Sequence, residues 1–389
     1  MAIAFPFIEV AIDTSGLQPE AQRAPGVLAI VGSTAGKGTA PVNDPVIVSD
    51  LESVVTLFND VDGNGQPAPE SNLYKALKAA FLQDPRPSKI YAVKISGTNW
   101  AAGLAALEST DDVTFVTVAT EVIKAGANAP IVALKSHCDL QSAAGNKRIG
   151  VAAIDPAIAK SDTYPATVIG HATSLKDATP RLVVIAARGA QTADGSTAQV
   201  AAACASAIAG FAPATSVVLK DVTGFTMPLV SQFSAGEITA LSEDGIIPVI
   251  DPALVVGESL HFAEGTLYTS DASQKYIDIV RLLDDVEFRL KAGLIGMIGD
   301  ARITRGGLAD ITRKAEGILG VVKATGAITG FSIHIPVLNA LMKASAARSA
   351  VDTQLVFTAR SERLVDMTVV IVIGPAIHRL KIALQPQFA

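Results

Sequence analysis

The stretch Val27-Leu-Ala-Ile-Val-Gly-Ser-Thr-Ala-Gly-Lys-Gly-Thr-Ala40 runs from an unbroken apolar segment into a turn that carries three glycines and one lysine. A phosphate-cradling loop has the pattern G-x-x-x-x-G-K-[ST] and opens a helix, so that backbone N–H groups wrap the phosphates. Here Gly32 and Gly36 stand one residue too close, and Gly38 occupies the place of the hydroxyl. The continuation, Thr39-Ala-Pro-Val-Asn-Asp-Pro45, is turn and extended chain, because each proline biases its predecessor away from the α region. The spacing therefore predicts a buried strand and a glycine turn between strands, with no nucleotide.

Working outward, Val46–Val48 reads as a strand, and residues 50–58 read as a short helix capped by Ser49 or Asp50. A helix over 72–83 stops before Pro85 and leads to the strand Lys89-Ile-Tyr-Ala-Val-Lys-Ile95. In the loop between these helices, Asp60, Asp62 and Asn64 alternate as calcium ligands do. Position twelve is Ser71 rather than glutamate, and prolines fill ligand-supplying places, which predicts a solvated turn. From 101 to 251 helical and strand patterns alternate, with strands at 113–118, 149–154, 181–186 and 246–250 and helices at 101–109, 127–144 and 196–209. Such alternation indicates an α/β layer on a largely parallel sheet. Tyr276, Ile279, Leu283, Val286 and Leu290 then mark a long helix, and residues 308–322 mark a second. Residues 355–358, 366–373 and 378–385 read as strands, and Phe331-Ser-Ile-His-Ile335 alternates like one.

The 389 residues suffice for two to four domains. Hydrophobic residues make up 49% and charged ones 17%, with mean hydropathy +0.40, yet no run reaches the ~18 apolar residues of a membrane helix. A chain this apolar is expected to hide surface in large subunit interfaces. Aromatic content is only 5%, so small aliphatic side chains, alanine above all, must fill the interior. The net charge of −6 argues against nucleic acid as a partner. Cys138 and Cys204 are isolated thiols, which supports neither a zinc site nor a disulfide framework. The N-terminus lacks the basic region of a signal peptide, so synthesis and residence in the cytoplasm are expected.

Ligands favour the carboxyl ends of strands in α/β sheets. Asp155 and Asp251 each end a strand and precede a proline, a common turn arrangement. The five histidines, at 137, 171, 261, 334 and 378, accompany no nucleophile elbow. No catalytic constellation emerges, although an α/β enzyme or small-ligand-binding protein using that crevice is the alternative function.

The two ends are more informative. Ile8, Val10 and Ile12, and again Leu380, Ile382 and Leu384, recur with period two at the extreme termini. A free amphipathic strand needs a partner, in its own sheet or in the sheet of a neighbouring copy. A head-to-tail contact of the second kind can propagate as a helical filament.

In the order of its landmarks the sequence resembles the contractile tail sheath proteins of bacteriophages and related injection systems. Ala24-Pro-Gly-Val27 with its strand and glycine turn is similar to the family's opening. Pro45 to Phe58 resembles its strand-then-helix signature, and Ile90-Tyr-Ala-Val-Lys-Ile95 the strand after the next helix. Leu219-Lys-Asp-Val-Thr-Gly-Phe225 and Glu237 to Val249 resemble the close of its α/β domain, and Tyr276 to Leu290 the helix that opens its C-terminal domain. The low aromatic content and the short C-terminal tail depart from the family pattern.

The resemblance implies an α/β and α+β multidomain chain. It would have an N-terminal β arm and linker (1–26), a small N-terminal αβ domain (27–97), a central subtilisin-like α/β domain lacking a catalytic triad (98–262), a C-terminal α+β sheath domain (263–376) and a C-terminal β arm (377–389). It implies a structural subunit, not an enzyme, that needs no cofactor and no metal. Such a subunit polymerises helically around an inner tail tube and contracts to drive the tube through a target envelope. Ile8, Val10, Ile12, Leu380, Ile382 and Leu384 would carry the strand exchange. Arg302, Arg305, Arg313, Lys314 and Lys323 would meet the tube. The implied partners are the chain itself, the inner tail tube protein, and baseplate and tail terminator proteins, without nucleic acid or membrane insertion. The implied location is a virion tail or a cytoplasmic injection-system particle.

Overall fold

The computed structural model describes residues 26–61, 69–126, 128–255 and 259–381. These form two compact units, residues 26–284 with 375–381, and residues 285–374.

In the larger unit β1 (Val27–Ser33) is the strand of the opening stretch, followed by β2 (Pro45–Val48), α1 (Leu51–Phe58), α2 (Asn72–Phe81) and β3 (Lys89–Ile95). Next come α3 (Trp100–Ala105), β4 (Phe115–Ile123), α4 (Ala129–Ala143), β5 (Ile149–Ile154), α5 (Tyr164–Ala172) and β6 (Leu182–Ala186). The unit is completed by α6 (Val200–Gly210), β7 (Asp221–Val222), α7 (Ala235–Asp244), β8 (Ile246–Ile250), β9 (Leu260–Phe262) and the first turns of α8 (Ile277–Leu294).

The strands form one sheet of nine in the order β2-β3-β1-β4-β5-β6-β8-β9-β7. Pairing is parallel from β3 through β8 and antiparallel at the margins, where β2 joins β3 and where β9 and β7 follow β8. The inner strands are apolar on both faces because both faces are covered by helices. Leu28 and Ile30 of β1 pack with Leu73 and Leu77 of α2 and with α6, while Val27, Ala29 and Val31 pack with Leu104 of α3 and the α4 side. Each fully buried side chain of this size contributes about 1.5–3 kcal/mol. Residues 27–97 and 98–262 share this sheet, since β1 pairs with β3 on one side and β4 on the other. The boundary expected at residue 97 therefore falls inside a continuous sheet.

Helix ends follow their sequence signals. Ser71 Oγ accepts from the Tyr74 N–H at the start of α2, and a Ser234/Glu237 capping box opens α7. Gly245, at φ +93°, ends α7 in the left-handed conformation. Residues 200–209 of α6 are all buried, and the small side chains let this helix pack closely against both the sheet and the neighbouring α2. The Ser206 hydroxyl donates to the Ala80 carbonyl over 2.7 Å.

The smaller unit contains the rest of α8, then α9 (Arg305–Ala324), β10 (Ile328–His334), α10 (Pro336–Met342), α11 (Ala350–Glu362) and β11 (Thr368–Ile373). Its core is small, built on Leu308, Ile335, Val337, Ala340, Leu341, Val356 and Ala359. The strand expected at 355–358 lies inside α11, because the Ser349/Asp352 capping box starts a helix just upstream. The final strand expected over 378–385 is also corrected. Residues 374–381 form no strand, and the remainder lies outside the described residues.

Candidate functional site

β10 and β11 are the clearest candidate for a functional surface. β11 is Thr-Val-Val-Ile-Val-Ile, β-branched throughout and so suited to a pleated strand. It pairs antiparallel with β10, with Ser332 opposite Val370, Phe331 opposite Ile371 and Ile333 opposite Val369. Residues directly opposite share a face. Phe331, Ile333, Val369 and Ile371 therefore share one half-buried face, and Ser332, His334, Thr368 and Val370 share the other. Val370 and Val372 on that outer face are each 54% exposed. Among the described residues the sheet has only these two strands, so each keeps an open edge. An apolar strand with an open edge is a template for a further strand.

The five basic residues expected at the inner tube are all exposed. Arg302 precedes α9, Arg305 is its first residue, Arg313 and Lys314 lie mid-helix, and Lys323 is in its last turn. At about 100° per residue, Arg305 and Lys323 align while Lys314 points to the opposite side. Arg313 is paired with Asp310 at 2.7 Å. The helix thus spreads these charges around its exposed surface instead of gathering them in one patch. Of the exchange residues, Ile8, Val10, Ile12, Ile382 and Leu384 lie outside the described residues. Leu380 is described and is 77% exposed.

The carboxyl edge of the large sheet was the other place singled out by the sequence. Asp155 is committed to a turn, its Oδ1 accepting from the Ala157 N–H over 2.9 Å. Asp251 is exposed on the wall of a cleft lined also by Phe225, Met227, Leu229 and Leu260. A second cleft of about 290 Å³ opens beside the ends of β4 and β5, with Lys75, Thr120, Glu121 and Gln199 in its lining. Burial pushes the Glu121 carboxyl above its ordinary pKa, with the Lys124 charge opposing. Neither cleft contains a cysteine or histidine. Cys138 is buried in the core with its pKa pushed up to about 12 by burial, and burial raises Cys204 as well. An inert thiol results in each case. Among the described residues no acidic, histidine or cysteine cluster is placed to hold a metal, and no helix is long and apolar enough to cross a membrane.

The glycine turn of the opening stretch has a packing explanation. A Cβ on Gly32 would stand 2.7 Å from Ala119 Cβ and 3.2 Å from Leu73, so glycine lets β1, β4 and α2 approach one another. Gly38, at φ +73°, lies against the Leu57 carbonyl at the end of α1. The lysine between them, Lys37, donates to the Pro69 carbonyl.

Sequence reading found the strands of β10 and β11 separately but missed their pairing. The available signal was β11 itself, which is apolar on both faces in a unit with too little core to bury both.

No known sequence family and no curated protein matches the chain. Solved structures do. The chain is similar to a protein of the anti-feeding prophage helical sheath in its contracted state, at 12% identity and TM-score 0.66 over 99% of each chain. It is equally similar to a chain of the contracted PVC sheath complex of an extracellular contractile injection system, at 12% identity and TM-score 0.66 over 99% of this chain and 98% of that one. A sheath tail protein of Listeria innocua matches at 12% identity and TM-score 0.58, over 81% of this chain and 89% of its own. The chain has the fold of contractile sheath proteins.

Proposed function

We propose that a chain with this fold is itself a structural subunit of a contractile sheath, which polymerises helically around an inner tube and contracts to drive that tube through a target envelope. The observation that carries this reading is the end-to-end likeness, 99% of each chain, to a subunit of a helical sheath. The energy for contraction would come from a metastable lattice, so no nucleotide, cofactor or metal takes part. The central α/β region would be a subtilisin-type scaffold without a triad. Baseplate, tail terminator and tube proteins would be its partners, in a virion tail or an injection-system particle.

In this reading the copies are joined by their ends. The alternating segments around Ile8, Val10 and Ile12 and around Leu380, Ile382 and Leu384 add as strands to the open edges of β10–β11 in neighbouring copies. Because donor and acceptor surfaces differ, the contact is heterologous and can propagate as a helical filament. Arg302, Arg305, Arg313, Lys314 and Lys323 are proposed to face an acidic tube.

Deletion of residues 1–13, or separately of 378–389, tests the joining directly. Each truncated protein should remain folded by circular dichroism yet stay in the supernatant at speeds that pellet the full-length polymer. Polymers of normal abundance from both truncations would refute the exchange.

A further inference from the structure

β11 stops at Ile373, and the Gly374-Pro375 break that follows offers no N–H at the proline to continue the ladder. Residues 375–381 belong to the larger unit, where polar and aromatic side chains hold them. His378 Nε2 lies 2.9 Å from Ser216 Oγ. The His378 ring also meets the Tyr276 ring edge-on, with centroids 5.1 Å apart and planes at 84°. Arg379 donates to Glu264 Oε1 over 2.7 Å. The apolar neighbours are left outside: Ile377 is 83% and Leu380 77% exposed. Burial of apolar side chains is the dominant driving force when one segment docks on another. Here polar side chains hold the segment down and the apolar ones remain presented.

We propose that Ser216, Glu264 and Tyr276 form a cradle that anchors the chain at His378 and Arg379, fixing the point from which residues 380–389 leave to pair with a second copy. This rests on the sheath reading above. Anchoring at Arg379 takes residues 375–379, about 17 Å of extended chain, out of the reach of whatever follows. A shorter tether limits which neighbours come within reach and raises the effective concentration at the nearest one. The anchor therefore selects the acceptor, while the alternating residues supply the pairing.

Cleavage after Lys381 by a lysine-specific endoprotease, which does not cut at Arg379, followed by mass spectrometry on dilute dissociated subunits, reads the cradle without requiring assembly. Glu264→Ala and His378→Ala should each raise the cleavage rate about threefold, the scale set by an exposed ion pair or one hydrogen bond. Glu264→Arg combined with Arg379→Glu should restore the wild-type rate, which general damage to the fold would not do. Sedimentation should show the single variants polymerising more slowly than wild type and the charge-swapped pair recovering. Equal cleavage rates in all variants would overturn the cradle, whether or not the wild type forms polymers. Faster cleavage with unchanged assembly would overturn its role in placing the arm. If wild type itself never polymerises while the cleavage pattern holds, the sheath reading and this arm role fail together, and only a local anchor remains.

Discussion

Arg148 Nη1 lies 2.7 Å from Nε2 of His137, and both side chains are buried. A guanidinium only donates, so the imidazole nitrogen accepts and the ring is neutral, with its proton on Nδ1. The same arginine donates to the Leu107 and Thr110 carbonyls, tying α4 to the loop before β4.

This pair predicts an acid-sensitive fold. Burial first, and the Arg148 charge second, lower the His137 pKa from 6.5 to about 4. Between those two values the unfolded chain holds the proton and the folded chain does not, so stability rises with pH across this window. The contribution is complete above pH 6.5 and is lost as pH falls toward 4, by about 3 kcal/mol in all. Urea titrations at several pH values should show the midpoint dropping through this window. His137→Gln, which keeps an acceptor but cannot titrate, should flatten that part of the profile, and an unchanged slope would contradict the assignment.

A second buried pair predicts a large effect midway along α8. Arg181 donates both Nη groups to Asp284, at 2.6 and 3.0 Å, with each side chain mostly buried. Removing one partner leaves the other charge buried, which costs about 3–5 kcal/mol. Arg181→Ala and Asp284→Ala should each lower the unfolding free energy from denaturant titration by that amount, and the double variant should be less damaged than the sum of the two. Additive losses would show that the residues act independently.

Gly32→Ala tests the packing account of the opening turn. The added methyl meets Ala119 Cβ at 2.7 Å, an overpacking expected to cost about 1–3 kcal/mol. Thermal unfolding should register that loss. Nucleoside triphosphates should not shift the melting temperature of the wild-type protein, and a shift would revive the phosphate-loop reading.

Val370→Lys and Val372→Lys address the open sheet. Both side chains are half exposed on the outer face, so the isolated subunit should keep its stability to within about 0.5 kcal/mol. Polymer formation should fall sharply, measured by sedimentation, because charges would stand where strands from other copies are proposed to pack. Normal polymers from both variants would move the acceptor site elsewhere.

Much of the larger unit was legible from residues alone. Val27–Val31, Ile149–Ile154 and Leu182–Ala186 are short apolar runs rich in valine and isoleucine, as a strand covered on both faces requires, and the long helix at Tyr276–Leu290 keeps a strict period. The smaller unit was harder. Leu355-Val-Phe-Thr358 has strand-like composition, yet the box at Ser349 and Asp352 sets a helix that leaves Phe357 66% exposed. α5 went unread because Tyr164 to Ala172 has few strongly periodic residues. The segment after Pro375 alternates like a strand, but alternation says nothing of which edge, if any, is available to it. The basic residues were recognisable as exposed, while their spread around α9 became visible only once the helix bounds were known.

Negative-stain electron microscopy of the purified full-length protein, with no nucleotide and no partner added, tests the central claim most directly. Hollow, regularly ridged cylinders are the predicted result. Discrete particles at every concentration would contradict the account of a self-assembling sheath.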